Sequence, residues 1–314
     1  MLLRMVSRRN AALTGNKKKS IYMKNIIKIL SHTLVLFTIS LSVSAEETSK
    51  LTSDAAPVQR VVVLAPHIVE MLYEVGAGKL IVGTTDHSDY PEAALNIPRV
   101  GNYAKLNIEH VLSLAPDVVL AWKSGNPSDD VEKLHQLGLK IVYSQPDELE
   151  DVAKELRMFG ALVGRQQQAE VAARTFEEKL SALRDQYKNK TPVSAFYELW
   201  SRPLTGVAGE AWPQQQLEVC GIQNPFVDSA TDYPQLNVEQ VVLAAPQLII
   251  QPGAHGKNAP DAIDWRQWPE IPAVKNNAFL HPDPDKMHRM TSRSLIELTK
   301  LCADVDQIRT KIYE

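Results

Sequence analysis

Short apolar segments rich in Val, Ile and Leu alternate along the chain with segments whose apolar residues recur at helical spacing. Arg60 to Ala65 is a β-branched run ended by Pro66, which predicts a strand, and residues 67–75 have the periodicity of a helix that stops at Gly76. The same criteria predict strands at 80–85, 118–122, 141–143, 193–199 and 248–251, and helices at 131–137, 214–220 and 292–312. Strands that alternate with helices pair in parallel, so we expect an α/β fold.

A long helical segment separates two such regions. From Leu149 to about Lys188 the chain has no proline, and its only glycines are Gly160 and Gly164. We therefore predict one long helix, or two abutting helices with a break near these glycines. The predicted fold class is two Rossmann-like lobes with parallel central sheets joined by a long helix. The predicted divisions are an N-terminal lobe at 46–160, a connecting helix at 161–190 and a C-terminal lobe at 191–314.

An internal repeat supports the division into two lobes. The segment 107–120, NIEHVLSLAPDVVL, is echoed 130 positions later by 237–250, NVEQVVLAAPQLII. Each copy has an Asn suited to capping a helix, an acid in the first helical turn, a proline turn and a buried strand. Chance convergence on a common helix-turn-strand unit is the alternative, but we expect the copies to occupy equivalent places in two similar lobes.

The N-terminal stretch predicts export. Two lysines precede an apolar run from Leu34 to Val43, and small residues end at Ala45, so residues 1–45 have the pattern of a signal peptide and Glu46 is the expected first residue of the mature chain. The apolar run is about ten residues, whereas a spanning helix needs roughly 20, although an uncleaved anchor is the alternative. We expect a soluble exported protein.

Charge and cysteine content narrow the classes of partner. From Glu46 onward the chain has 26 basic and 37 acidic residues, because eight basic residues precede it, and such an acidic surface argues against nucleic acid. In an oxidising compartment the two cysteines, Cys220 and Cys302, suggest a disulfide bond, with two buried free thiols as the alternative. A bridge closing a loop of that length would stabilise the fold by roughly 4 kcal/mol.

Motifs of catalysis and metal binding give no positive signal. The chain has no G-x-S-x-G, H-E-x-x-H, P-loop or G-x-G-x-x-G pattern, so nothing proposes an enzyme, a resident cofactor or a metal site. His67, His87, His281 and Asp285 fall at predicted strand-to-helix turns, where ligands of a metal ion could converge, although surface or packing roles are the commoner fate of a histidine.

Aromatic side chains outside the periodic segments give a sharper signal. Trp122 stands at the end of a predicted strand, directly after Val118 to Ala121, and Tyr103, Trp212 and Tyr233 lie in segments with Gly or Pro. Flat side chains at the strand ends of two facing lobes would form a cleft for a flat or bulky organic ligand, with core filling as the alternative.

Several strings carry a family resemblance. They are Ser88-Asp-Tyr-Pro91, Asn107-Ile-Glu109, Ala115-Pro-Asp117 with Ala121-Trp122, Leu217-Glu-Val-Cys-Gly221, and Tyr233-Pro-Gln235 with Glu239-Gln-Val241. From about Arg60 to Cys302 the chain resembles the periplasmic cobalamin-binding proteins of bacterial ABC importers, a class of substrate-binding proteins whose two lobes are joined by one rigid helix.

The resemblance implies roles for individual residues. Tyr103, Trp122 and Tyr233 would line a corrin pocket, Asp285 and Arg289 would contact ligand amides, and Cys220 would pair with Cys302. His87, which stands where the family has tyrosine, is a further candidate contact; Tyr103 and Tyr233 stand where it has tryptophan. Glu109 and Glu239, one in each copy of the repeat, match the acids that dock on arginines of the membrane permease.

The resemblance implies that the protein captures cobalamin in the cleft and delivers it to an ABC importer permease dimer, in the periplasm of a Gram-negative bacterium. It implies a monomer that catalyses no reaction and has no cofactor, since cobalamin is the transported ligand. A binder of haem, siderophore or metal ions in the same class is the alternative, and an exported hydrolase is a more distant one. Because a helix resists bending, closure of the lobes is expected to be small.

Overall fold

Two four-stranded parallel sheets organise the part of the chain that the structure describes, residues 58–253 and 262–313 of a computed structural model. The first sheet has the strand order β2-β1-β3-β4. Its strands are β1 (Val61–Val63), β2 (Ile81–Thr84), β3 (Val118–Trp122) and β4 (Ile141–Ser144). Three helices pack around it, namely α1 (Pro66–Glu74), α2 (Ile108–Ser113) and α3 (Ser128–Gln136).

Two abutting helices follow the first sheet. They are α4 (Asp151–Leu162) and α5 (Gln166–Tyr187), so the break predicted near Gly160 to Gly164 is confirmed. Gly164 has a left-handed φ of +69°, a conformation that glycine adopts without steric cost. Gly160 allows close approach, because a Cβ atom there would lie 2.1 Å from the Cβ atom of Ala169 in α5. The two glycines therefore let the chain end one helix and begin the next without separating them.

The second sheet has the order β10-β9-β5-β8 and is also parallel. An antiparallel pair of two-residue strands, β6 (Trp200–Ser201) and β7 (Leu204–Thr205), follows its first strand. In chain order the remaining elements are β5 (Val193–Tyr197), α6 (Trp212–Val219), β8 (Ile222–Gln223), α7 (Val238–Ala244), β9 (Leu248–Ile250), α8 (Pro272–Lys275), β10 (Phe279–Leu280), α9 (Pro284–Met287) and α10 (Arg293–Tyr313).

The two sheets repeat one design. Taken from its other edge, the second sheet runs β8-β5-β9-β10, which matches β2-β1-β3-β4 strand for strand. Both copies of the sequence repeat begin with a capped helix: the Asn107 side chain accepts from the His110 backbone N–H at 3.0 Å, and Asn237 from that of Gln240 at 2.8 Å. The alanine before each repeat proline, Ala115 or Ala245, is in the left-handed region. The predicted equivalence of the copies is confirmed.

One apolar core runs through both lobes. Alternate residues of β1 face different layers, since Val61 and Val63 belong to the large core and Val62 to a smaller cluster on the other face of the first sheet. The large core continues through a periodic stripe of α5 into the second sheet. The buried residues of that stripe are Ala169, Ala173, Phe176, Leu180, Leu183 and Tyr187. The α/β fold class with parallel sheets is thus confirmed.

The disulfide bond between Cys220 and Cys302 joins the end of α6 to the middle of α10. Arg309, which is buried, reinforces the same junction by donating to the carbonyl oxygens of Cys220 at 2.7 Å and Thr191 at 2.6 Å. The predicted disulfide bond between Cys220 and Cys302 is therefore confirmed, and the alternative of two free thiols is excluded.

The expected signal peptide, residues 1–45, lies outside the described residues, and the predicted lobe boundaries remain predictions. Within the described ranges, no helix is both long and apolar enough to cross a membrane.

Candidate functional site

The carboxyl ends of the parallel strands gather the side chains of the candidate site. In the first lobe β3 ends at Trp122, β4 ends at Ser144, and His67 lies just after β1. In the second lobe Glu198 follows β5 and Gln251 follows β9. Ligands of open parallel sheets bind outside the carboxyl ends of the strands, so a site is expected at these ends.

A buried hydrogen-bonded group forms the floor of the first lobe. The Ser144 hydroxyl donates to the Glu155 carboxylate at 2.6 Å, which leaves the Ser144 oxygen to accept from the His67 Nε2–H at 2.8 Å. The His67 ring contacts Trp122 edge-to-face, with centroids 5.4 Å apart. Burial, together with the charge of Arg289, lowers the pKa of His67 to about 3, so the imidazole is neutral at neutral pH.

A second aromatic group lies in the other lobe. The Tyr197 hydroxyl and the His288 Nε2 atom are 2.8 Å apart, and their rings meet edge-to-face. Burial raises the pKa of Tyr197 and lowers that of His288 to about 4. The half-exposed Tyr233 lies near Tyr197, and partial burial raises the pKa of Tyr233 as well. Both groups are uncharged at neutral pH, which suits contact with an apolar ring system.

A buried carboxylate supports the strand ends of the second lobe. Glu198 accepts hydrogen bonds from the Ser201 hydroxyl at 2.5 Å, from the Trp265 Nε1–H at 2.6 Å and from the Gln251 Nε2–H at 2.9 Å. Gln251 in turn is held by His281, whose Nδ1 atom lies 3.1 Å from the Gln251 carbonyl oxygen. Because these polar atoms satisfy one another, they hold the loops in place.

Arg289 bridges the two lobes. Its Nη1 atom donates to Glu70 of α1 at 2.9 Å and to Asp89, in the loop after β2, at 2.7 Å. Its Nη2 atom donates to the His87 carbonyl oxygen at 3.1 Å and to Asp285 of α9 at 3.3 Å. His87, Asp285 and Arg289 are all predicted site residues, and the structure brings these three together.

Glu70, in the first lobe, pairs with Arg289 and also with further residues of the second lobe. Its carboxylate, which is 3% exposed, also accepts from Arg293 Nη1 at 2.6 Å and from the Thr291 hydroxyl at 2.9 Å. Arg293 lies over the Tyr90 ring, 3.6 Å from its centroid. A buried carboxylate is costly unless it is paired, and here two arginines and a hydroxyl satisfy it. The lobes therefore meet through a network of charge-assisted hydrogen bonds.

The predicted aromatic residues differ in exposure. Tyr103 is 78% exposed, Tyr233 is 50% exposed, and Trp122 is partly buried against the core. Trp122 contacts His67, whose pKa is lowered in part by the charge of Arg289, and Tyr197 contacts His288, which precedes Arg289 in the chain. Each lobe thus contributes one of these aromatic groups. That the three aromatic residues contact a ligand stays a prediction.

The two predicted docking acids occupy equivalent places. Glu109 is in the first turn of α2, Glu239 is in the first turn of α7, and both side chains are exposed. Their positions after matching Asn caps follow from the repeat.

Several residues of the candidate site were not indicated by the sequence, among them Glu70, Tyr197, His288 and Arg293, together with the buried polar residues Ser144, Glu155, Glu198 and Gln251. One signal was available: Glu70 sits among Ile68, Val69, Met71 and Leu72, so an acid inside an otherwise buried stretch of α1 required a partner. Its partners Arg289, Thr291 and Arg293 come from the loop before the last helix and from the first residue of that helix, and this pairing has no signal in a single sequence.

The possible metal ligands named from the sequence are His67, His87, His281 and Asp285. Among residues 58–253 and 262–313, no group of three His, Cys, Asp or Glu side chains is arranged to hold a metal ion. His67 contacts Ser144, and His281 contacts the Gln251 carbonyl oxygen, as described above.

A cavity of about 480 Å³ is lined by residues just before α4, at the C-terminal end of α5 and in and before α6. Its lining is almost entirely charged or polar and consists of Glu148, Glu150, Arg184, Lys188, Glu210, Gln215, Glu218 and Val219. Because it offers no aromatic surface, it does not suit a large flat ligand.

Comparison with known proteins defines the class. Residues 61–285, most of the described chain, match the family described as periplasmic binding protein. The chain belongs to this family, as the resemblance in its sequence indicates.

Particular relatives are vitamin B12-binding proteins. The chain is 36% identical over 288 residues to the vitamin B12-binding protein of Vibrio vulnificus (strain CMCP6), an alignment that covers 91% of this chain and 100% of the relative. The crystal structure of the periplasmic vitamin B12-binding protein BtuF of Vibrio cholerae superposes with a TM-score of 0.74 at 34% identity, covering 81% of this chain and 98% of that one. The periplasmic haem-binding protein HutB of Vibrio cholerae shares the fold, with a TM-score of 0.68 at 19% identity, 82% of this chain and 100% of HutB being covered.

Proposed function

We propose that this protein captures cobalamin in the periplasm and delivers it to the permease of an ABC importer. The observation that carries the proposal is the similarity to vitamin B12-binding proteins over their whole length, at 36% identity. Proteins that bind haem share the fold at 19% identity, a level that supports no transfer of ligand. The protein acts by binding and release, without chemical turnover and without a resident cofactor.

The ligand is proposed to lie at the strand ends where the lobes meet. Tyr103, Trp122 and Tyr233 would contact the corrin ring and supply most of the affinity through apolar and stacking contact. Asp285, Arg289 and His87 would set its orientation through polar contacts with the amide groups at its edge. The direct contacts among these three polar residues support a common location for them.

Delivery is proposed to use the exposed acids of the repeat. Glu109 and Glu239 lie on equivalent helices, one in each lobe, and a permease built from two subunits presents its contact surface twice. Carboxylates at these two positions would pair with arginines on the two subunits. A monomer is sufficient for this arrangement, because one chain already carries both acids.

Isothermal titration tests the ligand. The purified protein is titrated in parallel with cyanocobalamin, haem, a ferric siderophore and Zn²⁺. We expect one cyanocobalamin to bind per chain, more tightly than any of the other three. Binding of haem or Zn²⁺ without binding of cyanocobalamin would overturn the proposed function.

A further inference from the structure

The charges at the interlobe contact do not balance. Arg289 and Arg293 contribute two positive charges, and three carboxylates contact them, those of Glu70, Asp89 and Asp285. Among the described residues, Lys286 pairs with Asp283 at 2.6 Å and Lys300 with Glu297 at 3.7 Å. Arg99 donates to backbone carbonyl oxygens, including that of Ser88 at 2.9 Å, and forms no ion pair with Asp89. The neighbouring imidazoles of His67 and His288 are neutral at neutral pH, since burial lowers the pKa of each, to about 3 and about 4.

Burial separates the roles of the three carboxylates. The side chain of Glu70 is 3% exposed, and those of Arg289 and Arg293 are 11% and 18% exposed, so the buried acid uses both arginines. The side chains of Asp89 and Asp285 are 49% and 67% exposed. A ligand that approaches this contact therefore meets carboxylate oxygens before it meets guanidinium nitrogens.

Asp89 is held in its ionised form. Partial burial acts to raise its pKa, but the hydrogen bond and the charge of Arg289 outweigh this effect, and the pKa lies below its usual value. Both terminal nitrogens of Arg289 already donate to protein oxygens. The contact thus offers hydrogen-bond acceptors and excess negative charge.

We infer that the carboxylates of Asp89 and Asp285, which both contact Arg289, act together as a charge filter. This charge filter admits macrocycles whose edge carries neutral amides and rejects macrocycles whose edge carries carboxylates. The inference rests on the proposed function, because it concerns the edge of a corrin bound at this contact. An amide N–H donates to either carboxylate, whereas a ligand carboxylate has no hydrogen to donate and is repelled. Haem carries two such carboxylates in its propionate groups, so the filter also separates two ligands that this fold can bind.

A matched pair of ligands tests the filter. Cyanocobalamin is compared with its monocarboxylic acids, in which one peripheral propionamide is hydrolysed to the acid, by titration at pH 7 and low salt. We expect the wild type to bind cyanocobalamin about tenfold more tightly than at least one of the acids. This is the size of the repulsion between a ligand carboxylate and a filter carboxylate about 7 Å apart in a partly solvated site. In the variant Asp89→Asn with Asp285→Asn, we expect this ratio to fall to about threefold or less.

The ratio distinguishes the filter from a general loss of binding. A change that only loosens the site weakens both ligands together and leaves the ratio unaltered. The control removes the same charge elsewhere, with Asp185→Asn on α5 and Asp304→Asn on α10, and should keep the wild-type ratio. Equal binding of cyanocobalamin and all the acids by the wild type, or an unchanged ratio in the double Asn variant, would overturn the inference. No binding of cyanocobalamin by the wild type would instead overturn the proposed function.

Discussion

Tyr103 is the most exposed of the three aromatic residues proposed to contact the ligand, at 78%. A side chain that is exposed in the free protein contributes little to folding, so its effect on binding can be measured with little disturbance of the fold. If the ring stacks on the ligand, Tyr103→Ala should weaken cyanocobalamin binding by about 1 to 3 kcal/mol, which titration calorimetry measures directly. Unchanged affinity would remove Tyr103 from the site.

A second tyrosine supplies the control. Tyr313 is 50% exposed, and its hydroxyl donates to the carbonyl oxygen of Pro192. Pro192 directly precedes β5, so Tyr313 lies at the amino end of this strand, opposite the carboxyl end where the candidate site lies. Tyr313→Ala should leave cyanocobalamin affinity unchanged. Tyr233→Ala should resemble Tyr103→Ala in its effect on binding.

The buried histidines make stability depend on pH. In the unfolded chain a histidine takes up a proton as the pH falls through 6.5, whereas folding holds His67 and His288 neutral down to about pH 3 and about pH 4. The unfolded state therefore binds more protons in this window, and stability that is complete above pH 6.5 is lost as the pH falls. At pH 5 the loss amounts to about 2 kcal/mol for each histidine.

Urea unfolding at pH 7 and pH 5 measures this loss. His67→Gln removes the titrating group and keeps a side chain that can donate to Ser144, so the variant should lose about 2 kcal/mol less than the wild type between the two pH values. His135→Gln, at an exposed position of α3, should behave as the wild type does. An identical pH dependence in His67→Gln and wild type would contradict the assigned pKa.

Single residues were predictable where their neighbours in the sequence define their environment. Trp122 could be placed at a strand end, and Glu109 in the first turn of a helix, because a β-branched run and an Asn cap precede them. Glu70 and Arg293 could not be paired, because 223 positions separate them and nothing local records their contact. Side-chain partners of this kind depend on the packing of the whole chain.

At the scale of elements, the capped helices α2 and α7 give the repeat its clearest test. Each Asn cap accepts one backbone N–H that would otherwise lack a partner, and in α7 the Gln240 side chain also accepts from the Asn237 N–H at 2.9 Å. Asn107→Ala and Asn237→Ala should each lower the free energy of unfolding by about 1 kcal/mol, as measured by chemical denaturation.

Serine provides the matched comparison for the caps. Because a serine hydroxyl also accepts from the N–H three residues later, Asn107→Ser and Asn237→Ser should retain most of the wild-type stability. Alanine and serine variants of equal stability would show that the side-chain acceptor contributes nothing.

Elements could be predicted in proportion to their length. The α5 helix has 22 residues and a regular apolar stripe, and the strand over 118–122 has five residues, so both leave a clear pattern in the sequence. The strands β8 and β10 have two residues each, which is too short for any periodicity, and they were missed. Their identity as strands comes from the neighbours β5 and β9, with which they pair.

At the scale of the whole molecule, the lobes are connected in three ways. They share an apolar core through α5, they are linked across the contact of Glu70 with Arg289 and Arg293, and the Gln215 side chain of α6 donates to the Asp147 carbonyl oxygen at 2.8 Å. Movement between the lobes would have to disturb all three. This arrangement supports the expectation of small closure around a ligand.

The docking proposal also belongs to this scale. Glu109→Lys together with Glu239→Lys reverses both exposed acids, and we expect it to abolish cobalamin-dependent growth of a strain that lacks the wild-type gene, while cyanocobalamin affinity measured by titration is retained. Like charges would then oppose the permease arginines on both lobes. Normal growth of the double variant would contradict the docking role.

A charge-matched control accompanies this variant. Glu132 on α3 and Glu178 on α5 are also exposed acids, and neither lies in the repeat. Glu132→Lys with Glu178→Lys should support growth as the wild type does, which separates a local docking effect from the change in net charge.

The matching strand orders of the two lobes bear on the proposed docking to a permease. If each lobe presents one acid to one of two identical permease subunits, rotating the binding protein by 180° exchanges the lobes and restores both contacts. The protein could then dock in either of two orientations, and the association rate would gain a statistical factor of about two. The residue four positions after each acid differs, Ser113 in one lobe and Leu243, 85% exposed, in the other. Any preference between the two orientations would originate in such differences between otherwise interchangeable ends.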